Sequence, residues 1–511
     1  MSPIALLSQN SLSRLASFLK ETNGWLLLLL VGVTHNLLWV KLATVAVGLL
    51  AFLLRKNRKW MPPPLPFYFY LALPLVGILG GWLTGSFQFA AYPYVLAYGG
   101  AQWLVSAAAF GLFFMEVAQS RKRSAENSLY AFTLLNLFAS LYSLGHTMWE
   151  SGSWWPYALA GSLQYGISTG DYIQGLFGGS SVVNAAVSAL LVLYFTQKRN
   201  FSRAAVAMTP LWLCGSNLLF LLTLLFLFFQ TVTQSCQRRR LVLFTLVLMG
   251  GYTAINYLNM PYLFGMSQGK AVSAPRPPVK PAGKSLYESL RSKPSVADRQ
   301  RAAVVLGGVG VATAGAPLPD TLTMQNALNR IYGQPYFYMP AAATKIPLKA
   351  FALFQTLHYA AYHPQLLVFG AGMGNASSKL AMKVTGAGLH GRWPAGKAYV
   401  GAAFYAAHLQ DLLYLFSLDA SQHSIAHFPN NSYAQLLAEY GLTGVLLFFI
   451  LYVRYFVRRM AYSSVRYGSL LLFVGLLLGT DYWLESISVL FVLEALLLVV
   501  LYHPSQKDAA A

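Results

Sequence analysis

Long apolar runs, broken by short polar or basic stretches, dominate this chain and predict membrane helices rather than strands. Twelve are predicted, over 24–38, 39–54, 65–84, 92–118, 127–147, 180–197, 203–216, 217–233, 240–258, 441–458, 468–484 and 486–503. Segments 24–54 and 203–233 each hold two of these runs in 31 residues, short against the ~20 residues a crossing helix needs. They predict tilted, kinked or partly re-entrant helices packed in protein, where broken backbone is tolerated. The expected fold class is therefore an all-α polytopic membrane protein of about twelve transmembrane helices with one large, partly helical loop.

Four regions follow. Residues 1–258 carry nine helices with short loops, 259–440 form the large loop, 441–503 carry three helices, and 504–511 are a tail. Inside the loop, 269–301 is rich in Pro, Lys, Ser and Arg and reads as a solvated linker. Residues 302–316 are small and apolar but too short to span comfortably, and read as a surface or re-entrant segment. Helical patterns at 321–333, 346–362 and about 403–416 make 321–440 a helical lid over the bundle. The opening 1–20 is mildly amphipathic, lacks a small-residue cleavage site and reads as retained.

Composition agrees with the pattern. The 511 residues are 56% hydrophobic and 10% charged, where soluble domains run at about 25% charged. The net charge of +21 is not a nucleic-acid signature here, because it collects in clusters between spans. The clusters are Arg55 to Lys59, Arg121 to Arg123, Lys198 with Arg199 and Arg203, Arg238 to Arg240, and Arg454 with Arg458, Arg459 and Arg466. With both termini cytoplasmic every cluster faces inward, and 259–440 lies outside. Two cysteines, Cys214 and Cys236, offer no disulfide framework.

The most informative stretch ends the large loop, from His423 and His427 through Asn430, Asn431, Ser432 and Tyr433 to Glu439, Gly441 and Gly444. Ser432 followed by Gln435 has capping-box spacing. Gly441 sits where a left-handed residue would close about two turns of helix. A second stretch, His363-Pro364 to Gly370, Gly372, Gly374 and Asn375, repeats glycine at alternate positions. Such a loop can hold phosphate oxygens on backbone N–H groups, or serve as a plain turn between loop helices.

Together these motifs resemble the O-antigen polymerase/ligase superfamily of bacterial membrane glycosyltransferases. Those proteins have about a dozen spans and one large periplasmic loop late in the chain. That loop typically carries an Arg some fifteen residues before a His-Pro-(Leu)-x-Gly-x-Gly element, then a His-Asn-x-Tyr-Leu-Gln-x-x-x-Glu-x-Gly-x-x-Gly element. Here Lys349 precedes His363 at that spacing, and Asn431-Ser432-Tyr433 through Gln435, Glu439, Gly441 and Gly444 follow. Asp481 to Glu485 is similar to the acidic stop of a late span. The chain departs from the pattern where Asn430 takes the place of the family His, Lys349 that of an Arg, and Asn217 that of a mid-span Arg.

The resemblance implies glycosyl transfer from an undecaprenyl-pyrophosphate-linked oligosaccharide at the periplasmic face of the inner membrane, with no metal or other cofactor. A pyrophosphate leaving group needs cations and N–H donors, and an acceptor hydroxyl needs a base. His427, His423 and Lys349 are the catalytic candidates. Arg330, Gly372, Gly374, Asn375, Asn430, Asn431, Tyr433 and Glu439 are the substrate-binding candidates. His423 and His427 are four residues apart, but zinc would want further ligands in matching geometry. The expected partners are the lipid-linked glycan, the bilayer, and chain-length or export proteins. Ligase, flippase and non-catalytic scaffold stand as alternatives to the polymerase.

Overall fold

The computed structural model describes residues 13, 16–55, 61–158, 169–234, 237–256, 348–386, 393–409, 430–461 and 468–503. Among these the regular structure is helical throughout. The N-terminal part carries α1 (Gly24–Thr34), α2 (Leu38–Leu54), α3 (Leu65–Leu83), α4 (Tyr92–Gln119), α5 (Lys122–Ser151), α6 (Ser181–Gln197), α7 (Phe201–Cys214), α8 (Asn217–Thr233) and α9 (Arg238–Asn256). From the loop come α10 (Leu348–Tyr362), α11 (Pro364–Phe369) and α12 (Lys379–Val384), then α13 (Ser432–Leu447), α14 (Gly468–Leu478) and α15 (Ile487–Tyr502). Among the described residues, four helical rods are long and apolar enough to cross a membrane: α3, α4, α5 and the stretch Ser432–Met460 that begins with α13.

Apolar residues face outward as well as inward. Leu53, Leu54, Leu75, Trp82, Phe228 and Leu243 are each more than 60% exposed on helix surfaces, the mark of a bundle whose outside meets lipid. The centre is held by α15 and α6, which are apolar around their whole circumference and buried along nearly their whole length. Helix α15 packs on α1, α4 and α6.

The short pairs are broken where the sequence suggests, and side chains from other helices close the breaks. Helix α1 has only 11 residues, about 16 Å against an apolar core of about 30 Å. Its last carbonyls accept from Lys41 Nζ (Val33 O, 2.8 Å) and Ser488 Oγ (Thr34 O, 2.7 Å). The end of α7 is treated alike: Gly215 is left-handed, Asn256 Nδ2 donates to Trp212 O at 3.0 Å, and the Tyr157 hydroxyl donates to Leu213 O.

The basic clusters gather at one end of the bundle. Arg55 pairs with Glu116 at 3.5 Å and Lys198 with Glu126 at 3.8 Å. Arg203 donates to Asn127 Oδ1 at 3.1 Å, and Arg459 to the Tyr502 hydroxyl at 3.1 Å. The loop helices and the 479–486 connector occupy the opposite end.

At Gly441 (φ 62°, ψ −165°) the backbone leaves helical geometry, so the short helix and the span after it meet across a kink at that glycine. The positive φ is as the glycine implies, but it serves close approach: a Cβ there would lie 2.5 Å from Val368 C and 2.6 Å from Gly370 N. Of the helix expected at 403–416, the described part is helical, as α over Ala402–Phe404 and π over Tyr405–Leu409, and 410–416 lie outside the described residues. The linker 269–301, segment 302–316 and helix 321–333 lie outside the described residues.

The kink gives a stability prediction. Gly441→Ala is expected to cost more than about 2 kcal/mol through strain and clash. Gly100→Ala, on a helix with nothing within 4 Å, is expected to be neutral or to stabilise. Thermal unfolding of both variants in detergent tests this; equal melting of Gly441→Ala and wild type would contradict the packing described.

Candidate functional site

The candidate site forms where α10, the 430–432 turn and the 479–486 connector meet. At the start of α13 the capping residue is Asn431, one position before the expected Ser432. Its side chain accepts from Tyr433 N at 2.9 Å and Ala434 N at 3.5 Å. Ser432 is thereby free for a tertiary role. Its Oγ donates to Asp481 O at 2.7 Å and accepts from Trp483 N at 2.8 Å. Gln435 therefore completes no capping box. Both polar atoms of its amide are buried and meet no hydrogen-bond partner among the described residues.

Asp481 is the hub. It is 6% exposed, and its carboxylate accepts from Asn430 Nδ2 at 3.0 Å, Tyr482 N at 2.8 Å and Lys379 Nζ at 2.9 Å. Lys379 also lies over the Trp483 ring at 5.2 Å. Lys349 comes in from α10 and donates to Asn430 O at 3.0 Å and to Thr480 O. Two ammonium groups thus converge on one buried carboxylate and two carbonyls, leaving donors on each lysine for a further acceptor. Burial lowers the Lys349 pKa to about 8, with Asp481 pulling the other way. The unfolded chain then holds that proton more tightly, so this group's contribution to stability rises with pH between about 8 and the ordinary 10.5.

Of the jobs the sequence leaves open to the glycine element, the structure shows a closely packed turn. Gly370, Gly372 and Gly374 all have positive φ (72°, 90° and 73°). The N–H groups of this loop are already engaged: Ala371 to Ala438 O (2.8 Å), Gly372 to Glu439 O (3.0 Å), Gly374 to Glu439 Oε1 (2.8 Å) and Asn375 to Gly372 O (3.1 Å). A Cβ on Gly372 would lie 2.4 Å from Gly81 N, and one on Gly370 2.3 Å from Glu439 C. Gly372 and Gly374 are therefore no phosphate cradle here; they let the loop lie backbone-to-backbone against α3 and α13. Two further candidates are likewise engaged within the protein. Asn375 donates to Ser86 Oγ (2.9 Å) and accepts from the Tyr399 hydroxyl (2.6 Å). Glu439 is fully buried and holds Gly374, as Glu485 holds the start of α12 through Lys379 N at 2.7 Å.

Tyr433 reaches α14 and donates to Gly475 O at 2.6 Å. The structure thus brings Lys349, Asn430, Asn431 and Tyr433 together, with Gly372, Gly374, Asn375 and Glu439 packed beneath them. His423, His427 and Arg330 lie outside the described residues. His363 is buried with its ring 4.7 Å from that of Tyr359, and burial lowers its pKa. His408 is buried, 3.4 Å from Thr356 Oγ1, and burial pushes it down to about 4. Lys379, Ser432 and Asp481 are site members that the motif reading did not assemble. Their signal in the sequence was thin: a serine inside a motif, a loop cation, and an acid at a span end.

The chain matches no family model, no curated protein and no solved structure.

Glu439→Ala leaves the Gly374 N–H unpaired in a buried loop and is expected to cost about 1–3 kcal/mol. Glu439→Gln keeps an acceptor and is expected to stay within about 1 kcal/mol of wild type. Melting curves of the purified variants decide; a harmless Glu439→Ala would remove Glu439 from its anchoring role.

Proposed function

We propose that the chain is a membrane glycosyltransferase that polymerises lipid-linked oligosaccharide repeat units into O-antigen or exopolysaccharide. In this reading the twelve helices all belong to the membrane domain of a bacterial inner-membrane protein with cytoplasmic termini. The loop 259–440 is periplasmic, and the donor is an undecaprenyl-pyrophosphate-linked oligosaccharide.

One observation carries the reading: Lys349 and Lys379 converge on the 430–432 turn and the 480–481 backbone, at the bundle end away from the basic clusters. Cations held by a rigid frame suit a leaving group that gains negative charge. The acceptor hydroxyl oxygen attacks the anomeric carbon, the bond from that carbon to the pyrophosphate oxygen breaks, and the lipid pyrophosphate leaves against the lysines. The acceptor proton passes to a base. His427, three residues before Asn430, takes that role in this reading, with His423 beside it in sequence. The unpartnered Gln435 amide and the Asn430 side chain supply polar groups for sugar hydroxyls.

Lys349→Ala and His427→Ala are each expected to abolish surface polysaccharide while membrane insertion is kept. Wild-type polymer in both variants would remove the site assignment. A strain lacking the protein should make single repeat units in place of long chains on a sizing gel. Full-length chains accumulating on the lipid carrier would instead indicate a ligase, and an unchanged ladder a transporter or scaffold.

The pH dependence follows from Lys349. Polymerisation by purified protein in vesicles should fall as pH rises through about 8, where this lysine loses its proton. Lys349→Arg, which stays charged, should remove that fall. Superimposable profiles would show that the Lys349 charge is not used.

A further inference from the structure

Two further lysines at the loop end of the bundle have no part in the site above. Lys383, in the last turn of α12, donates to the Tyr98 hydroxyl at 2.7 Å and sits 4.5 Å from the centre of that ring. Lys397 lies 3.9 Å over the ring of Tyr94. Tyr94 and Tyr98 are four residues apart on α4, neighbours one turn apart on one helix face. Trp393 closes the group: its ring meets Tyr98 edge-on at 5.4 Å, and its indole N–H donates to Lys397 O at 2.7 Å. The two lysine-bearing segments are tied by Tyr399 N to Val384 O at 2.8 Å. The result is a shelf of three aromatic rings with two ammonium groups held on it.

Among the described residues no carboxylate neutralises the charge on this shelf. Lys349 and Lys379 meet carbonyls and Asp481, whereas among the described residues neither Lys383 nor Lys397 pairs with a carboxylate. An ammonium has three donors, and the contacts above use one on Lys383.

Its depth is also informative. Helix α4 has 28 residues, about 42 Å of rise against an apolar core of about 30 Å, so its first turns extend into the headgroup layer. Tyrosine and tryptophan favour that layer. Tyr94 is 49% exposed on the surface, and deeper along the same helix Leu104 is 55% exposed.

We propose that this shelf binds the phosphate headgroup of a membrane lipid, with Lys383 and Lys397 as the phosphate contacts and Tyr94, Tyr98 and Trp393 as the platform. Lipid is the occupant because the cations stand over interfacial aromatics, directly above a helix surface that exposes apolar residues. The proposal rests on the reading above only for α4 being a membrane span with this end at a headgroup layer; it does not depend on glycosyl transfer.

The test uses the full-length protein in phosphatidylcholine nanodiscs doped with phosphatidylglycerol, with retained lipid measured by native mass spectrometry. A lysine near a membrane surface contributes about 1 kcal/mol, or roughly five-fold in affinity. The Lys383→Gln/Lys397→Gln double variant should therefore retain phosphatidylglycerol roughly 25-fold more weakly, and the double arginine variant should restore it. Lys349→Ala should retain the lipid as wild type does, which separates this site from the proposed catalytic one. Inorganic phosphate should not compete at millimolar concentration. Equal retention by wild type and the double glutamine variant, with matching melting curves, would overturn the proposal. So would displacement of the lipid by free phosphate.

Discussion

The buried carboxylate of Asp481 is the constraint on which the loop end of this protein depends. It draws Lys379 and Asn430 to itself, and its own carbonyl holds Ser432. A carboxylate removed from water must be met by cations and donors, or burying it costs more than the packing around it returns. That requirement joins α12, the 430–432 turn and the 479–486 connector, and brings Lys349 of α10 against the same backbone. The two lysines are near each other because the acid is there. Their remaining donors are open to a further acceptor.

Beneath the hub, backbone geometry replaces charge. The loop 370–375 and the kink at Gly441 approach so closely that a single Cβ would clash with main-chain atoms. Glu439 and Glu485 each fasten one end of the segment that carries Lys379. Both carboxylates serve here as fixed acceptors for backbone N–H groups. The cations above are held on a frame whose parts come from four distant stretches of chain, which is how a loop attains the rigidity that electrostatic stabilisation requires.

The same logic runs through the bundle. Helices too short to cross a bilayer alone end inside protein, and their orphan carbonyls are met by Lys41, Ser488, Asn256 and Tyr157. Glu494, within α15, is met by the Tyr70 hydroxyl. These polar residues in apolar helices answer backbone breaks or one another, consistent with the rule that irregular backbone survives at depth only where protein covers it.

Helix type and approximate helix limits were legible in the sequence, because apolar runs and basic breaks are local signals that no tertiary contact reverses. So was the positive φ at Gly441, since glycine is the residue that adopts it without cost. The cap was misread by one residue: Asn431 and Ser432 are both good caps, and only the pull of Asp481 and Trp483 on Ser432 decides between them. The glycine loop stayed open in the sequence, because alternate glycines permit either an open phosphate cradle or close backbone contact. The carbonyls of Ala438 and Glu439, some 65 residues away, select the second. Residue type and spacing thus determined what each segment can be. Which buried donors and acceptors remain open was decided by partners distant in sequence, because a hydrogen bond already made within the fold is no longer open to a ligand.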